Sequence, residues 1–319
     1  MNFRKSLVYI LVLMMIVGMS GCQSKQSSNT TENTANKERI TVAVSIIPQE
    51  TFAKAVAGDL VDVITMIPPG HSPANYQPTP KQMTKFSESK AYFSIGVPTE
   101  ESNILPKVED LNKDIKIVSL ADKVGEVYPH RSFAEEEEHQ HDEENHKDRG
   151  DEEHHHHDGR DPHIWLSPKR AKVMVEVIKD ELVLLDPDNK TTYEKNAEEY
   201  IAQLDEADNE IREVLSDFNG QSFIIYHPAF GYFADDYGLK MVTIEEDGKE
   251  STAKKLQEVI DFAKRENIKF VFYQEEFDSN QAETIAKEIG GKTIKVAPLA
   301  SDYIENLKSI ANKFKEILE

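Results

Sequence analysis

Histidine is the residue type in this chain that most clearly indicates a chemical function. The chain has 319 residues, with eleven histidines and one cysteine. Seven of them fall within residues 134–161, among thirteen acidic and three basic residues: His139, His141, His146, His154, His155, His156 and His157. Neutral imidazole binds zinc, copper and nickel, and neighbouring carboxylates make the local potential negative. Because the interval has almost no apolar side chain, we predict a disordered loop that gathers metal weakly at several places. The alternative is an acidic insert that only improves solubility.

Three further histidines lie in loops at the ends of predicted elements. His227 directly follows the strand-like run 222–226, and His71 lies in the loop after the run 61–67. His163 lies where a loop meets the start of a helix. An isolated histidine is more often structural than ligating, but the shared position at element ends favours a ligand role for His163 and His227. Three such loops are able to converge across one cleft.

Alternating strand and helix patterns predict the scaffold that positions these histidines. Apolar strand-like runs alternate with helical stretches in both halves of the chain, which indicates an α/β fold of two lobes, each a mostly parallel sheet with covering helices. We place the lobes at residues 39–186 and 220–319. Apolar residues at spacings of three and four predict one long helix within 187–219 that lies along both lobes. Ligand sites in such sheets lie beyond the carboxyl ends of the strands, in a cleft.

The first 38 residues indicate export and attachment to a membrane. Residues 1–22 combine a positive start, an apolar run of 13 residues and Ser-Gly before Cys22, which is typical of a lipoprotein signal peptide. Residues 23–38 are polar and aperiodic, as in a flexible tether. We therefore expect an extracytoplasmic protein that is lipid-anchored through Cys22 to the outer face of a bacterial cell membrane. An ordinary secreted protein or a signal anchor is the alternative.

Charge and cysteine content exclude several classes of protein. The net charge of −21 argues against a nucleic-acid partner, because phosphate binding needs a basic surface. A single cysteine excludes an internal disulfide and a structural zinc site built on cysteines.

Six segments of the chain carry a resemblance to one family: AVSIIPQETFAKAVAGDLVDV, IPPGHSPANYQPTPKQM, DPHIWLSP, YHPAFGYFADDYGL, EEDGKE and APLASDYIENL. They resemble the zinc/manganese solute-binding proteins of bacterial ABC importers, the ZnuA-like receptors, from about residue 40 to 318. The acidic, histidine-rich interval before DPHIWLSP is similar to that of the zinc-selective members. The resemblance implies two α/β lobes joined by one long rigid helix, with a single metal held between them.

The same resemblance implies a partial set of metal ligands. His163 matches the second ligand of the family and His227 the third, a position where histidine suits zinc and a carboxylate suits manganese. The chain departs from the pattern at Ala74 and Ala297, where the family has its first ligand and an acid, and zinc usually takes four donors. We expect His71 to replace the first ligand. The candidates for the fourth position are water and three acids: Glu275, Glu276 and Asp302.

The function that these observations imply is capture of zinc outside the cytoplasm and its delivery to the membrane permease and ATPase of an ABC importer. Ni²⁺, Co²⁺ and Mn²⁺ are less favoured cargoes. We expect a monomer with small lobe movements, and an affinity that falls as the pH drops through about 6. The alternatives are a surface protein that buffers zinc or acts as an adhesin without feeding an importer, and a zinc hydrolase. No HExxH or GxSxG motif supports the hydrolase.

Overall fold

The computed structural model describes residues 39–133, 159–245, 250–277 and 279–318. In these residues the fold is built on two parallel sheets of four strands each. The strands of the N-terminal lobe run in the order β2-β1-β3-β4, and every neighbouring pair is parallel. Their bounds are β1 Ile40–Val44, β2 Val61–Thr65, β3 Ala91–Ser94 and β4 Lys116–Ser119.

The sheet of the C-terminal lobe repeats this arrangement in the order β6-β5-β7-β8, again with only parallel pairs. Its strands are β5 Ser222–Ile225, β6 Lys240–Thr243, β7 Phe270–Gln274 and β8 Lys292–Val296. In both sheets the strand order reverses beside the first strand of the lobe, so a crevice forms between the carboxyl ends of β1 and β3, and of β5 and β7.

Helices cover both sheets and begin where the sequence supplies capping residues. The Thr79 hydroxyl accepts from the Gln82 amide, the Ser167 hydroxyl accepts from the Arg170 amide, and a proline follows each cap as the first helical residue. The helices are α1 Ile47–Ala57, α2 Pro80–Phe86, α3 Val108–Asn112, α4 Leu120–Gly125, α5 Pro168–Leu185, α6 Lys190–Leu215, α7 Gly231–Tyr237, α8 Ala253–Arg265, α9 Asn280–Glu288 and α10 Tyr303–Leu318.

Helix α6 joins the lobes. Its 26 residues are preceded by a 3₁₀ turn at Pro187–Asn189 and followed by another at Ser216–Phe218. At 1.5 Å per residue the helix is about 39 Å long, so it spans both lobes. It packs against α1 and α5 of the N-terminal lobe and against α7 and α10 of the C-terminal lobe.

One hydrophobic core continues from lobe to lobe along α6. Val44 and Phe93 of the first sheet belong to the same buried cluster as Phe223 and Phe272 of the second, with Leu204 of α6 between them. Opening the lobes would expose part of this shared apolar surface, which opposes a wide hinge motion. Among the described residues, no helix has the length and apolar character needed to cross a membrane.

The two-lobe α/β fold predicted from the sequence is confirmed, with all eight predicted strands present. The sequence reasoning missed three short helices, α3, α4 and α7, because they are too short to show a helical period. It also extended the predicted disordered loop, 134–161, too far. Gly159 accepts a hydrogen bond from the Phe133 amide (2.7 Å), and Asp161 is fully buried. Residues 134–158, the signal peptide 1–22 and the tether 23–38 lie outside the described residues.

Candidate metal-binding site

A cleft of about 1230 Å³ lies between the lobes, at the crevice edges of the two sheets. Its wall includes Ala74 and Gly96 from the N-terminal lobe and His227 and Glu245 from the C-terminal lobe, together with His163. The cleft therefore contains two of the three histidines predicted as ligands.

His227 lies at the crevice of the C-terminal sheet. β5 ends at Ile225, and the Tyr226 amide still donates to the Phe272 carbonyl of β7 (2.9 Å). The chain then leaves the sheet, because Pro228 has no amide hydrogen to continue the ladder. This exit turns the His227 side chain towards the N-terminal lobe.

His163 lies in the segment that leads into α5. Its backbone amide donates to Asp161 Oδ1 (2.9 Å), and the same oxygen lies 2.7 Å from His163 Nδ1. Arg131 approaches the other oxygen of Asp161 with its Nε at 3.5 Å. A Cβ at Gly231 would lie within 3 Å of both side chains, so only glycine allows them to pack this closely on α7.

The two imidazoles face each other across the cleft. His163 Nε2 and His227 Nε2 are 3.2 Å apart, and the ring planes meet at 75°. His227 Nδ1 lies 2.6 Å from Glu245 Oε2, as His163 Nδ1 lies beside Asp161. Because a carboxylate accepts a hydrogen bond, each neutral ring carries its proton on Nδ1 and turns the lone pair of Nε2 towards its partner. Two lone pairs at this distance repel each other unless they share a cation.

The surroundings of His227 keep its ring neutral. Burial lowers the pKa of His227 below its ordinary value of 6.5 and outweighs the hydrogen bond that the ring donates to Glu245, which raises the pKa; the nearby His163 lowers it further. A lowered pKa means that protons compete with a metal for Nε2 only at a pH below the usual histidine range. The predicted loss of affinity on acidification therefore begins lower for this ring than for an exposed histidine.

Aromatic rings enclose the histidine pair. Phe277 stacks on the His227 ring with centroids 4.4 Å apart and an interplanar angle of 22°. Trp165 and Phe133 lie beside His163, with centroids at 5.1 and 6.5 Å. These rings limit the rotation of both imidazoles.

Comparison with known proteins identifies the family. The profile described as "ZnuA: Zinc-uptake complex component A periplasmic" matches residues 42–317. The chain belongs to the ZnuA family.

Two curated members and one solved structure show how far the similarity extends. The zinc-binding lipoprotein AdcA of Streptococcus pneumoniae is 35% identical over 279 residues, which are 86% of this chain and 53% of AdcA. The high-affinity zinc uptake system protein ZnuA of Bacillus subtilis is 33% identical over 91% of this chain and 88% of its own length. A crystal structure of ZnuA superimposes with a TM-score of 0.77 at 32% identity, covering 88% of this chain and all of the other. The chain thus spans about half the length of AdcA.

The third predicted histidine of this ZnuA-family chain is not beside the pair. His71 is exposed, its Nδ1 lies 3.1 Å from the Pro69 carbonyl oxygen, and its ring packs edge-on against Tyr76. Ala74, three residues later, lines the cleft instead. In the described part of the chain, no group of three or more His, Cys, Asp and Glu side chains is arranged to hold a metal. A ligand role for His71 stays a prediction.

The three acids predicted as candidates for the fourth ligand differ in their availability. Glu275 is exposed and pairs with Lys295 Nζ at 2.7 Å. Asp302 is exposed at the start of α10. Glu276 has a buried Oε2 without a hydrogen-bond partner among the described residues, and burial raises its pKa to about 7. Of the three, only Glu276 has an oxygen that is both buried and free.

The sequence reasoning missed the residues that hold the two histidines: Asp161, Glu245, Gln274 and Phe277. Glu245 directly follows the predicted strand 241–244. Its position after a strand end, which made His227 a candidate, would have made Glu245 a candidate as well. Asp161 was assigned to the acidic loop, where nothing distinguished it from the many other acidic residues. No sequence pattern indicates a role for Gln274 or Phe277, although they flank Glu275 and Glu276, which were predicted as candidate ligands.

Proposed function

We propose that this protein is an extracytoplasmic receptor that binds one zinc ion between its lobes and delivers it to the permease and ATPase of an ABC importer. In this proposal His163 and His227 are metal ligands, Cys22 carries the lipid anchor and the protein acts as a monomer. The segment 134–158, with its seven histidines, gathers metal for the receptor.

The separation of the two Nε2 atoms is the observation that carries this proposal. A tetrahedral zinc ion with Zn–N distances of about 2.0–2.1 Å places two nitrogen ligands about 3.3–3.4 Å apart. His163 Nε2 and His227 Nε2 are 3.2 Å apart without a metal. Zinc binding therefore needs almost no movement of the two ligands, and it removes the repulsion between their lone pairs.

The chemistry around the pair favours zinc over manganese. Imidazole nitrogen suits zinc, copper and nickel, whereas manganese prefers carboxylate, carbonyl and water oxygens. Asp161 and Glu245 contact the outer nitrogens of the rings, so their two negative charges offset the charge of a divalent cation without ligating it. Water, His71 and Glu276 are the candidates for the remaining positions.

The relatives support the same role. Both curated relatives are named for binding or uptake of zinc, which fits a binding protein rather than an enzyme. The B. subtilis relative is matched over most of its length, whereas AdcA has about as much sequence again that this chain does not cover.

A competitive zinc titration of the chain from Gln23 tests the proposal. A matched protein lacks 134–158, with a short Gly-Ser turn joining Phe133 to Gly159, because those two residues are already hydrogen-bonded to each other. We expect both proteins to bind one zinc ion tightly, and His163→Ala or His227→Ala to abolish that binding in both.

Loss of tight binding in the shortened protein alone would overturn the proposal. The histidine-rich segment would then hold the zinc, and the protein would be a surface zinc buffer rather than the receptor of an importer.

A further inference from the structure

We propose that Gln274 and Phe277 are positioning residues that hold His227 in the geometry needed for metal binding. This inference rests on the proposed function of the histidine pair and goes beyond it, because neither residue touches the metal. Gln274 is the last residue of β7 and Phe277 lies in the turn that follows it, which the Phe277 amide closes by donating to the Gln274 carbonyl (3.2 Å).

Gln274 satisfies both backbone groups of His227. Its Oε1 accepts from the His227 amide (3.3 Å), and its Nε2 donates to the His227 carbonyl oxygen (2.7 Å). The β5–β7 ladder has ended before this point, so the two groups have no strand partner. The Ala229 amide also donates to the His227 carbonyl oxygen (2.8 Å), so the side chain of Gln274 matters most for the His227 amide, because a buried backbone donor without a partner costs stability.

An amide side chain is well suited to this double role. A primary amide carries a donor and an acceptor in one plane, as a peptide group does, whereas a carboxylate only accepts and a methionine does neither. Gln274 is fully buried, so no water competes for these hydrogen bonds. The backbone of His227 is therefore fixed by a side chain from the neighbouring strand.

Phe277 fixes the ring that this backbone carries. It covers one face of the His227 imidazole with nearly parallel planes, while Glu245 holds Nδ1 at the ring edge. The backbone clamp, the stacked ring and the carboxylate together leave Nε2 a single direction, towards His163. Residues that orient metal-ligating histidines typically change metal affinity ten- to a hundredfold when they are replaced.

The test compares two buried glutamines. Gln274→Met removes the clamp and keeps the length of the side chain. Gln49→Met is the matched control, because Gln49 is equally buried and its amide bridges the backbone of Ser45 and Phe93 in the other lobe. We expect both variants to lower the melting temperature, but only Gln274→Met to weaken zinc binding, by about ten- to a hundredfold.

Equal zinc affinities for the two variants would overturn the role of Gln274. That result would make both glutamines purely structural. If the Gln274→Met variant does not fold, variants of Phe277 test the proposal instead. We expect Phe277→Leu, which keeps apolar bulk but loses the ring face, to weaken binding several-fold and Phe277→Tyr to restore it. An unchanged affinity in Phe277→Leu would overturn the role of Phe277.

Histidine side-chain NMR of the metal-free protein separates this inference from the proposed function. We expect His227 to show one tautomer with its proton on Nδ1 in the parent protein, and averaged signals in Gln274→Met. If the parent shows that fixed tautomer but binds no zinc, the proposed function fails while the positioning role stands. If Gln274→Met leaves the His227 signals unchanged, the positioning role fails.

Discussion

The two lobes end their first strands with the same backbone arrangement but with different side chains. In the N-terminal lobe the Ile67 amide donates to the Ser45 carbonyl (2.9 Å), and Ile46 follows. In the C-terminal lobe the Glu245 amide donates to the Tyr226 carbonyl (2.9 Å), and His227 follows. Ile46 therefore occupies the position of His227, and Ile67 that of Glu245.

A buried glutamine clamps the chain at both positions. Gln49 Oε1 accepts from the Ile46 amide (3.1 Å), as Gln274 Oε1 accepts from the His227 amide (3.3 Å). The N-terminal lobe fills the two side-chain positions with isoleucines that are almost completely buried. The two sheets thus have equivalent backbone positions at their carboxyl edges. Because one lobe has isoleucine there and the other has histidine, only the C-terminal position is a candidate ligand site.

The candidate ligand of the N-terminal lobe comes from a different place in the fold. His163 comes from the segment before α5, which also ties the lobes together: Trp165 Nε1 donates to the Pro298 carbonyl (2.9 Å), and Tyr303 Oη donates to the Trp165 carbonyl (2.5 Å). The contacts that join the lobes therefore also set the distance between His163 and His227.

The comparison of equivalent positions predicts its largest effect for His227→Ile, which copies the side chain of the N-terminal lobe. Zinc affinity should fall at least about a hundredfold, because loss of a ligand costs more than loss of a group that merely orients one. The control is Ile46→Val, which should cost about 0.5–1.5 kcal/mol of stability and leave affinity unchanged. A competitive zinc titration measures both. A tight-binding His227→Ile variant would refute the assignment.

Glu245→Gln tests the second equivalent position. The neutral side chain no longer stabilises the proton on Nδ1 of His227, so zinc affinity should fall about ten- to a hundredfold. Glu258→Gln, the same change at an exposed acid that pairs with Lys254, should have no effect. If the two variants bind zinc equally well in a calorimetric titration, Glu245 has no role beyond packing.

Buried ionisable groups in the two lobes should respond to pH in opposite directions. In the N-terminal lobe Glu100 accepts from the backbone amides of Ile95 and Gly96, and burial raises its pKa from 4.5 to about 7. Between these values the folded chain holds a proton that the unfolded chain has lost, so Glu100 adds stability as the pH falls from 7 to 4.5. His227 has a lowered pKa, so the unfolded chain takes up its proton first and stability falls below pH 6.5.

Urea unfolding of the metal-free protein between pH 4.5 and 7.5 measures these contributions. Relative to Glu100→Gln, the parent should gain on the order of 3 kcal/mol on acidification across this range. Relative to His227→Ala, it should lose stability below pH 6.5. Parallel stability curves for parent and variants would contradict both assignments.

The smallest effect is expected for Glu275→Gln. The carboxylate of Glu275 is exposed and already paired with Lys295, and such surface pairs contribute at most about 1 kcal/mol. Zinc affinity should stay within about twofold of the parent in the same titration. A larger loss would place Glu275, rather than Glu276, beside the metal.

The fold class and two histidines of the candidate site follow from patterns in the sequence alone. Strand and helix periods are local properties of the chain, so all eight strands and the long helix were predictable from spacing. His163 and His227 were predictable because His227 directly follows a strand-like run and His163 lies where a loop meets the start of a helix. Family motifs then connected the two residues, which lie 64 positions apart.

The contacts that hold the two histidines in place become visible only in the folded protein. The partners of His227 come from three separate points of the chain: Glu245 after β6, Gln274 at the end of β7, and His163 from the other lobe. No sequence period links such points, because strand order and lobe packing bring them together. For the same reason the sequence did not show that Ile46 and His227 are equivalent, since that relation exists only in the hydrogen bonds at the ends of two parallel sheets.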